Sequence, residues 1–368
     1  MLIVVLATIL ILAIAFFQVN QGLYSALIMT ILTIACALLA FNYYEPLAAT
    51  LYGRMPDYAD GACLMVLFVI PLLIIRELFD RYLGGNVVMG VWADRIGGGV
   101  LGLVAGTVLV GVLLVAVQMF PFPAAILGYA PYDATLKRSA HLEPFRPDEF
   151  VLGMVGTLSG GSMRSENNFA GAHREMLLDL FCARNDAGLY GRKTTKPDSA
   201  AVLSVTDVTE QNPPWTADVP ANDRLDASQS VKTLVVRTSI DENAREERTW
   251  IILPATHFRL SDKAGNSYYP IGYLTYGMIN QNNKPAGSKW AFHGPEVVEG
   301  VLQRTKLAVS REWVSGETTI VVAWIYRVPA DAELEMLTFR HLAKAAVPKI
   351  GKGTLDTVKA LTRIVNTQ

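Results

Sequence analysis

The chain has 368 residues, of which 51% are hydrophobic and 18% are charged, and its formal net charge is −1. This balance argues against nucleic acid as a partner, because nucleic-acid-binding proteins usually carry a basic excess. The three cysteines, Cys36, Cys63 and Cys182, show no metal-binding spacing and no plausible disulfide framework. We therefore expect neither a metal nor a cofactor.

Charged residues are absent from two long segments, residues 1–44 and 96–132. A bilayer core requires about 20 mostly apolar residues of helix, and four stretches of the chain meet this requirement. The first has no basic N-terminal region and no cleavage site, which favours a retained helix over a signal peptide. Pro121 ends the fourth, since proline removes a backbone donor. The predicted transmembrane helices are residues 1–17, 23–41, 59–82 and 96–119.

Ionisable residues border these predicted helices rather than lying at their centres. In the third helix, i,i+4 spacing predicts that Arg76 faces Asp80 and that Glu77 faces Arg81. We interpret them as paired charges at an interfacial helix end, with an ion or proton pathway as the alternative. The full set of predicted interfacial charges is Arg76, Glu77, Asp80, Arg81, Asp94 and Arg95.

The distribution of arginine predicts the orientation in the membrane. Arg76, Arg81 and Arg95 flank the connection between the third and fourth helices, whereas the opposite side has Arg54 in a short loop. Because basic residues favour the cytoplasmic side, this connection is expected in the cytoplasm and both termini outside.

Three glycines of the fourth helix, Gly98, Gly102 and Gly106, recur at spacing of four and therefore share one helix face. Small residues in this pattern let a neighbouring helix approach closely, which favours association where lipid removes the hydrophobic drive. We predict that they are helix-packing residues.

The run from Asp94 to Gly106 reads Asp-Arg-x-x-Gly-x-x-x-Gly-x-x-x-Gly. With four apolar helices over residues 1–120, it resembles the CvpA family, the colicin V production proteins of the bacterial inner membrane. Gly22 in the first loop is a second, weaker match, although the arginines and the glutamate that often flank it in the family are missing here. The position before the last glycine, often basic in the family, is Ala105.

The resemblance implies a multi-pass inner-membrane protein linked to colicin V production, toxin biosynthesis and homeostasis of the cell envelope. Expected partners are the lipid bilayer and either further copies of the chain or other envelope proteins. Some members carry a trypsin-like protease domain outside the membrane after the fourth helix. A membrane-anchored protease and a transport or channel component are therefore kept as alternatives to a non-enzymatic scaffold.

The sequence shows no recognisable catalytic motif. The stretch from Ser159 to Ser162 is the best candidate for a nucleophile, but it does not match G-x-S-x-G. The five histidines lie in no catalytic or zinc-binding signature. We therefore expect that the protein is not an enzyme.

The predicted fold is an all-α four-helix transmembrane bundle followed by a mainly β domain. Short β-branched runs separated by turn residues after Ser230 suggest an Ig-like sandwich. Before it, apolar residues at helical spacing between His173 and Arg184 predict one amphipathic helix, followed by loop over residues 194–230. The predicted domains are a bundle at 1–120, a proline-rich linker at 121–230, a β-sandwich at 231–342 and a basic, solvated tail at 343–368.

Overall fold

The structure is a computed structural model in which the chain forms two compact units. The first unit contains residues 1–131 and 140–180, and the second contains residues 132–139 and 181–368. The residues described are 2–82, 90–123, 125–132, 136, 138, 146–160, 169, 173–184, 195–196, 198–211, 230–241, 244, 250–279, 285–298, 301–303, 305–310 and 319–354.

Four long apolar helices begin the first unit, and each is long and apolar enough to cross a membrane. The predicted four-helix transmembrane region is confirmed. The third helix has the predicted bounds, whereas the first, second and fourth continue beyond the predicted spans at one end, because a helix can continue past the hydrocarbon core into polar residues. They are α1 (Leu2–Gln21), α2 (Leu23–Ala49), α3 (Ala59–Tyr82) and α4 (Val91–Met119).

Contacts between the helices fix their directions. Gly98 of α4 adjoins Gln18 of α1 and Gly106 adjoins Ile11, so these two helices are antiparallel. Helix α2 runs parallel to α4, because Leu23 contacts Asp94 and the Thr30 hydroxyl donates to the Leu101 carbonyl. Helix α3 runs back along α2. We call residues 18–25, 76–82 and 91–98 the Gly22 end, and residues 42–61 and 111–120 the Tyr52 end.

Among the residues that the structure describes after the bundle, two shorter helices have defined ranges, α5 (Pro147–Gly160) and α6 (Met176–Arg184). The amphipathic helix predicted between His173 and Arg184 corresponds to α6. Helix α5 lies in the stretch that the sequence analysis predicted as linker, so that prediction was wrong for residues 147–160. Its glycines, Gly153 and Gly156, lower helix propensity and interrupt the apolar periodicity, which explains why the sequence pattern did not reveal it.

The second unit is rich in strands, which confirms the predicted mainly β domain. A six-stranded sheet has the order β14-β1-β2-β11-β6-β7, and a four-stranded sheet has the order β13-β12-β4-β5. Strands β10 and β3 form one two-stranded sheet, and β8 and β9 form another. The strands are β1 (Ala200–Asp207), β2 (Val231–Asp241), β3 (Trp250–Pro254), β4 (Phe258–Asp262), β5 (Ser267–Tyr268), β6 (Gly272–Ile279), β7 (Pro285–His293), β8 (Glu296–Val298), β9 (Val301–Gln303), β10 (Lys306–Ser310), β11 (Thr319–Pro329), β12 (Leu334–Phe339), β13 (Ala343–Ala346) and β14 (Gly351–Lys352).

The two larger sheets share one apolar core centred on Trp324 of β11, which is fully buried. Its ring centroid lies 4.6 Å from that of Phe258 on β4 and 5.8 Å from that of Tyr273 on β6. Phe339 of β12 also stacks on Phe258, with centroids 4.6 Å apart. The Ig-like character of this arrangement stays a prediction.

The β domain extends beyond the predicted limits of residues 231 and 342. Strand β1 pairs antiparallel with β2 along its whole length, although it falls in the predicted loop at 194–230. Beyond residue 342, Lys344 lies in β13 and Lys352 in β14, so the start of the predicted basic tail belongs to the sheets. Lys359 and Arg363 lie outside the described residues, as do residues 212–229 of the predicted loop.

Candidate functional site

The glycine face of α4 is in contact with α1 of the same chain. A Cβ atom added at Gly98 would lie 2.9 Å from the carbonyl oxygen of Gln18. One at Gly102 would lie 2.7 Å from the Gln18 Cβ and 2.9 Å from the Ala15 Cα. At Gly106 it would lie 3.2 Å from the carbonyl oxygen of Ile11. The two backbones therefore approach so closely that side chains larger than hydrogen have little room.

Asp94 connects the start of α4 to the start of α2. Its Oδ1 accepts a hydrogen bond of 2.7 Å from the backbone N–H of Leu23, one of the N–H groups that a helix N-terminus leaves without an intrahelical partner. The preceding residue, Gly22, has a φ of +89°, which strongly favours glycine. A Cβ atom there would lie 2.8 Å from the Asp94 carboxylate. Gly22 and Asp94 thus form one structural unit, although 71 residues separate Leu23 from Asp94.

We expect Asp94→Ala to weaken the start of α2. Loss of a side-chain cap costs about 0.5–2 kcal/mol, whereas Asp94→Asn keeps a carbonyl oxygen that can accept the same bond. Hydrogen exchange at the Leu23 amide in detergent-solubilised protein should accelerate in Asp94→Ala and change little in Asp94→Asn. Glu77→Ala is the control, because Glu77 is exposed. Equal protection of Leu23 in all variants would show that Asp94 does not cap α2.

The other predicted interfacial charges lie at or near the Gly22 end, and Arg76 is at their centre. Arg76 Nε pairs with Asp80 Oδ2 at 2.9 Å, and its Nη2 donates to the Ser25 hydroxyl at 3.0 Å. Arg95 is exposed at the start of α4. Within the described residues, Glu77 and Arg81 are exposed and form no ion pair with each other. Arg76 therefore links α3 to α2, while the remaining charges face outward.

A buried carboxylate that the sequence did not predict lies at the Tyr52 end. Asp148, in the first turn of α5, is fully buried. Its Oδ2 accepts hydrogen bonds from Gln118 Nε2 at 3.0 Å and from the Tyr129 hydroxyl at 2.5 Å. Its Oδ1 accepts the Glu149 N–H at 3.0 Å. Burial and the Asp148 carboxylate raise the pKa of Tyr129, so the phenol stays protonated as a donor.

The candidate nucleophile Ser159 and the histidine His173 both contact residues of α2. The Ser159 hydroxyl is buried and donates to Asn42 Oδ1 at 3.3 Å. His173 Nε2 lies 3.0 Å from Glu45 Oε1, and its ring lies against Phe169 and Tyr44. Ser162 lies outside the described residues. These contacts join the end of α5 and the segment that follows it to the last turns of α2.

Buried polar groups of the β domain stabilise its loops. Arg340 donates to the backbone oxygens of Ala244 at 3.1 Å and Ile252 at 3.0 Å. Asp262 accepts bonds from the Asn266 N–H at 2.8 Å and the Tyr268 hydroxyl at 2.9 Å. Across the part of the chain that is described, no group of three His, Cys, Asp or Glu side chains could hold a metal ion.

Comparison with known proteins finds a family model that matches the membrane region. Residues 3–146 match the family model described as "Colicin V production protein". The match covers all four long helices and the Gly22–Asp94 unit, and it ends immediately before α5. No curated protein and no solved structure is significantly similar to the chain.

Proposed function

Because the membrane region of this multi-pass protein matches the Colicin V production protein family, we propose that the chain is a non-enzymatic scaffold of the bacterial inner membrane. In this proposal, the four helices anchor an extracytoplasmic β domain, and that domain binds a partner in the cell envelope. The family is not a known enzyme family. Its name points to a role in toxin production, and envelope homeostasis is the wider role that we propose.

The proposed orientation of the helices in the membrane rests on one observation. The Gly22 end contains three arginines, Arg76, Arg81 and Arg95. Helix α4 starts at this end and finishes at the Tyr52 end, from which the chain continues towards the β domain. Basic residues are retained preferentially in the cytoplasm. The Gly22 end is then cytoplasmic, and the chain leaves the bundle on the outer side.

Packing at the bundle centre favours a scaffold over a transport pathway. Ala105, Val108 and Val112 of α4 are almost fully buried. No Asp, Glu, Lys or Arg occurs in residues 1–44 or 96–132, which include α1 and the central turns of α2 and α4. A pathway for ions normally has ionisable groups at mid-membrane, and in a single copy of the chain the central turns of these helices contain no charged residue.

Reporter fusions test the orientation. Alkaline phosphatase fused after Gln368 should be active, because the enzyme folds only outside the cytoplasm, and a green fluorescent protein at the same position should be dark. Fusions after Tyr82 should give the opposite pattern, since α3 ends at the Gly22 end. Fluorescence after Gln368 together with phosphatase activity after Tyr82 would overturn the proposed extracytoplasmic location of the β domain.

Ion flux across vesicle membranes distinguishes the scaffold proposal from the transport alternative. Purified full-length protein in sealed vesicles should leave proton and potassium fluxes at the level of protein-free vesicles. A flux that rises with protein density, and that falls in Arg76→Gln, would favour transport and contradict the scaffold. Arg76→Gln is informative because Arg76 bonds to both α2 and α3.

A further inference from the structure

Helix α5 is too short to cross a bilayer, yet it lies against membrane-spanning helices. Its 14 residues extend about 21 Å at 1.5 Å per residue, against a hydrocarbon core of about 30 Å. Its first turn lies on Gly111 of α4, where an added Cβ would be 2.9 Å from the Pro147 carbonyl carbon and 3.0 Å from the Val151 Cβ. Gly111 precedes the last residue of α4, Met119, by two turns. The start of α5 is therefore level with the apolar part of α4.

The other end of α5 lies at nearly the same level. The contacts Leu23–Asp94 and Thr30–Leu101 both have an offset of 71 residues, which sets the register between the parallel helices α2 and α4. By this offset, Asn42 of α2 is level with residue 113 of α4. Ser159, in the last turn of α5, bonds to Asn42. Because both ends of α5 meet the bundle at similar depth, its axis runs across the spans rather than along them.

The surface of α5 divides into three sides. The first faces the bundle and contains Asp148, Val151, Val155 and Ser159, all buried. The second contains Phe150, Met154 and Leu158, which recur at spacing of four and so form one apolar stripe. The third contains Glu149, Gly153 and Gly156, and the space around both glycines is open.

We propose that α5 is an interfacial helix that lies in the plane of the membrane at the Tyr52 end. Its Phe150–Met154–Leu158 stripe contacts the acyl chains, and its Glu149–Gly153–Gly156 side faces the headgroups and water. An amphipathic helix that lies flat at the boundary between headgroups and acyl chains buries its apolar side and keeps its polar side wet. We assign lipid as the contact of this stripe because the start of α5 is level, along the membrane normal, with the apolar part of α4.

The polar contacts of α5 fit this location. A buried carboxylate near the hydrocarbon is costly unless hydrogen bonds satisfy it, and Asp148 receives three. Other exposed apolar side chains lie at the same end of the bundle. Tyr58, Phe122 and Leu127 are each about half exposed there, as Phe150 is on α5.

Spin labels on the full-length protein in phosphatidylcholine–phosphatidylglycerol vesicles test the proposal. Single cysteines replace Met154 on the stripe and Gly153 on the third side, and both sites tolerate a label because neither belongs to the buried side of α5. The native Cys36, Cys63 and Cys182 are buried, so unmodified protein gives the labelling background. Ile31→Cys on α2 is the lipid reference, and Lys263→Cys in the β domain is the water reference.

The readout is a ratio of two collision rates measured for each label. The first is the rate with oxygen, which concentrates in lipid, and the second is the rate with a nickel complex that stays in water. We expect an oxygen-to-nickel ratio at Met154 that is several-fold higher than at Gly153 and close to that at Ile31. A Met154 ratio equal to that of Lys263 would place the stripe in water and overturn the proposal. Exclusion of both reagents at Met154 would mean that protein covers the stripe, which also overturns it.

Discussion

Gly102→Leu is expected to separate α1 from α4 and to prevent stable folding of the membrane region. Gly102 faces the backbone of α1, and even a Cβ atom would lie 2.9 Å from the Ala15 Cα. A backbone atom cannot retreat as the end of a flexible side chain can, so the helices must move apart. Overpacking by one methyl group typically costs about 1–3 kcal/mol, and the leucine side chain adds three further carbons.

The loss of stability should increase with the size of the side chain at position 102, and the same substitution at an open position should have little effect. Gly102→Ala should lower the thermal midpoint in detergent, and Gly102→Leu should also reduce the yield of monodisperse protein. Gly153→Leu is the matched control, because it also introduces leucine on a helix, but at a position with nothing within 4 Å. Wild-type yield and thermal midpoint in Gly102→Leu would contradict the close α1–α4 contact. Size-exclusion chromatography reports separately whether the glycine face also affects oligomer assembly.

Trp324→Ala is expected to unfold the β domain under mild conditions. The Trp324 side chain is fully buried and joins both larger sheets through Phe258 and Tyr273. Removal of a buried tryptophan costs about 3–5 kcal/mol, because the site cannot collapse around the cavity. This loss should lower the urea midpoint of the β domain by about 1 M or more. Circular dichroism in the strand region, measured on the full chain in detergent, follows the transition.

Trp92→Ala is the control for loss of a tryptophan, since Trp92 is 78% exposed at the start of α4. It should leave the urea midpoint unchanged. In Trp324→Ala, proteolysis should degrade the β strands while the apolar helices remain protected, because the two regions form separate compact units. Simultaneous loss of the helices would contradict independent folding, and an unchanged midpoint would contradict the central role of Trp324.

The candidate site illustrates how local patterns and long-range contacts differ in predictability. Spacing alone identified the glycine face, because residues four positions apart must share one side of a helix. It did not identify α1 as the neighbour, since any helix with a suitable surface could approach that face. The family resemblance drew attention to Gly22 and Asp94 separately. Their contact depends on the parallel arrangement of α2 and α4, which no local pattern encodes.

Helix α5 and strand β1 were not predicted, and the physical reason is the same for both: contacts with distant residues stabilise them. Helix α5 contains two glycines in its interior, Gly153 and Gly156, and its inner side carries Asp148 and Ser159, so its periodicity is weak in sequence. Its position is stabilised by Gly111 of α4 and by hydrogen bonds to Gln118 and Tyr129. The alternation of strand β1 was obscured because the sequence on both sides of it is rich in proline. It is a strand because β2 offers an edge to which it can hydrogen bond.

The sequence by itself determined that this protein has four membrane-spanning helices followed by a mainly β region. A run of about 20 apolar residues must satisfy its backbone groups internally in lipid, and alternating β-branched runs favour strands. Only the tertiary structure decided which helix contacts the glycine face, that Asp94 caps α2, and that α5 lies across the bundle. These features depend on contacts between residues far apart in the chain, whose free energy exists only when the whole unit is folded.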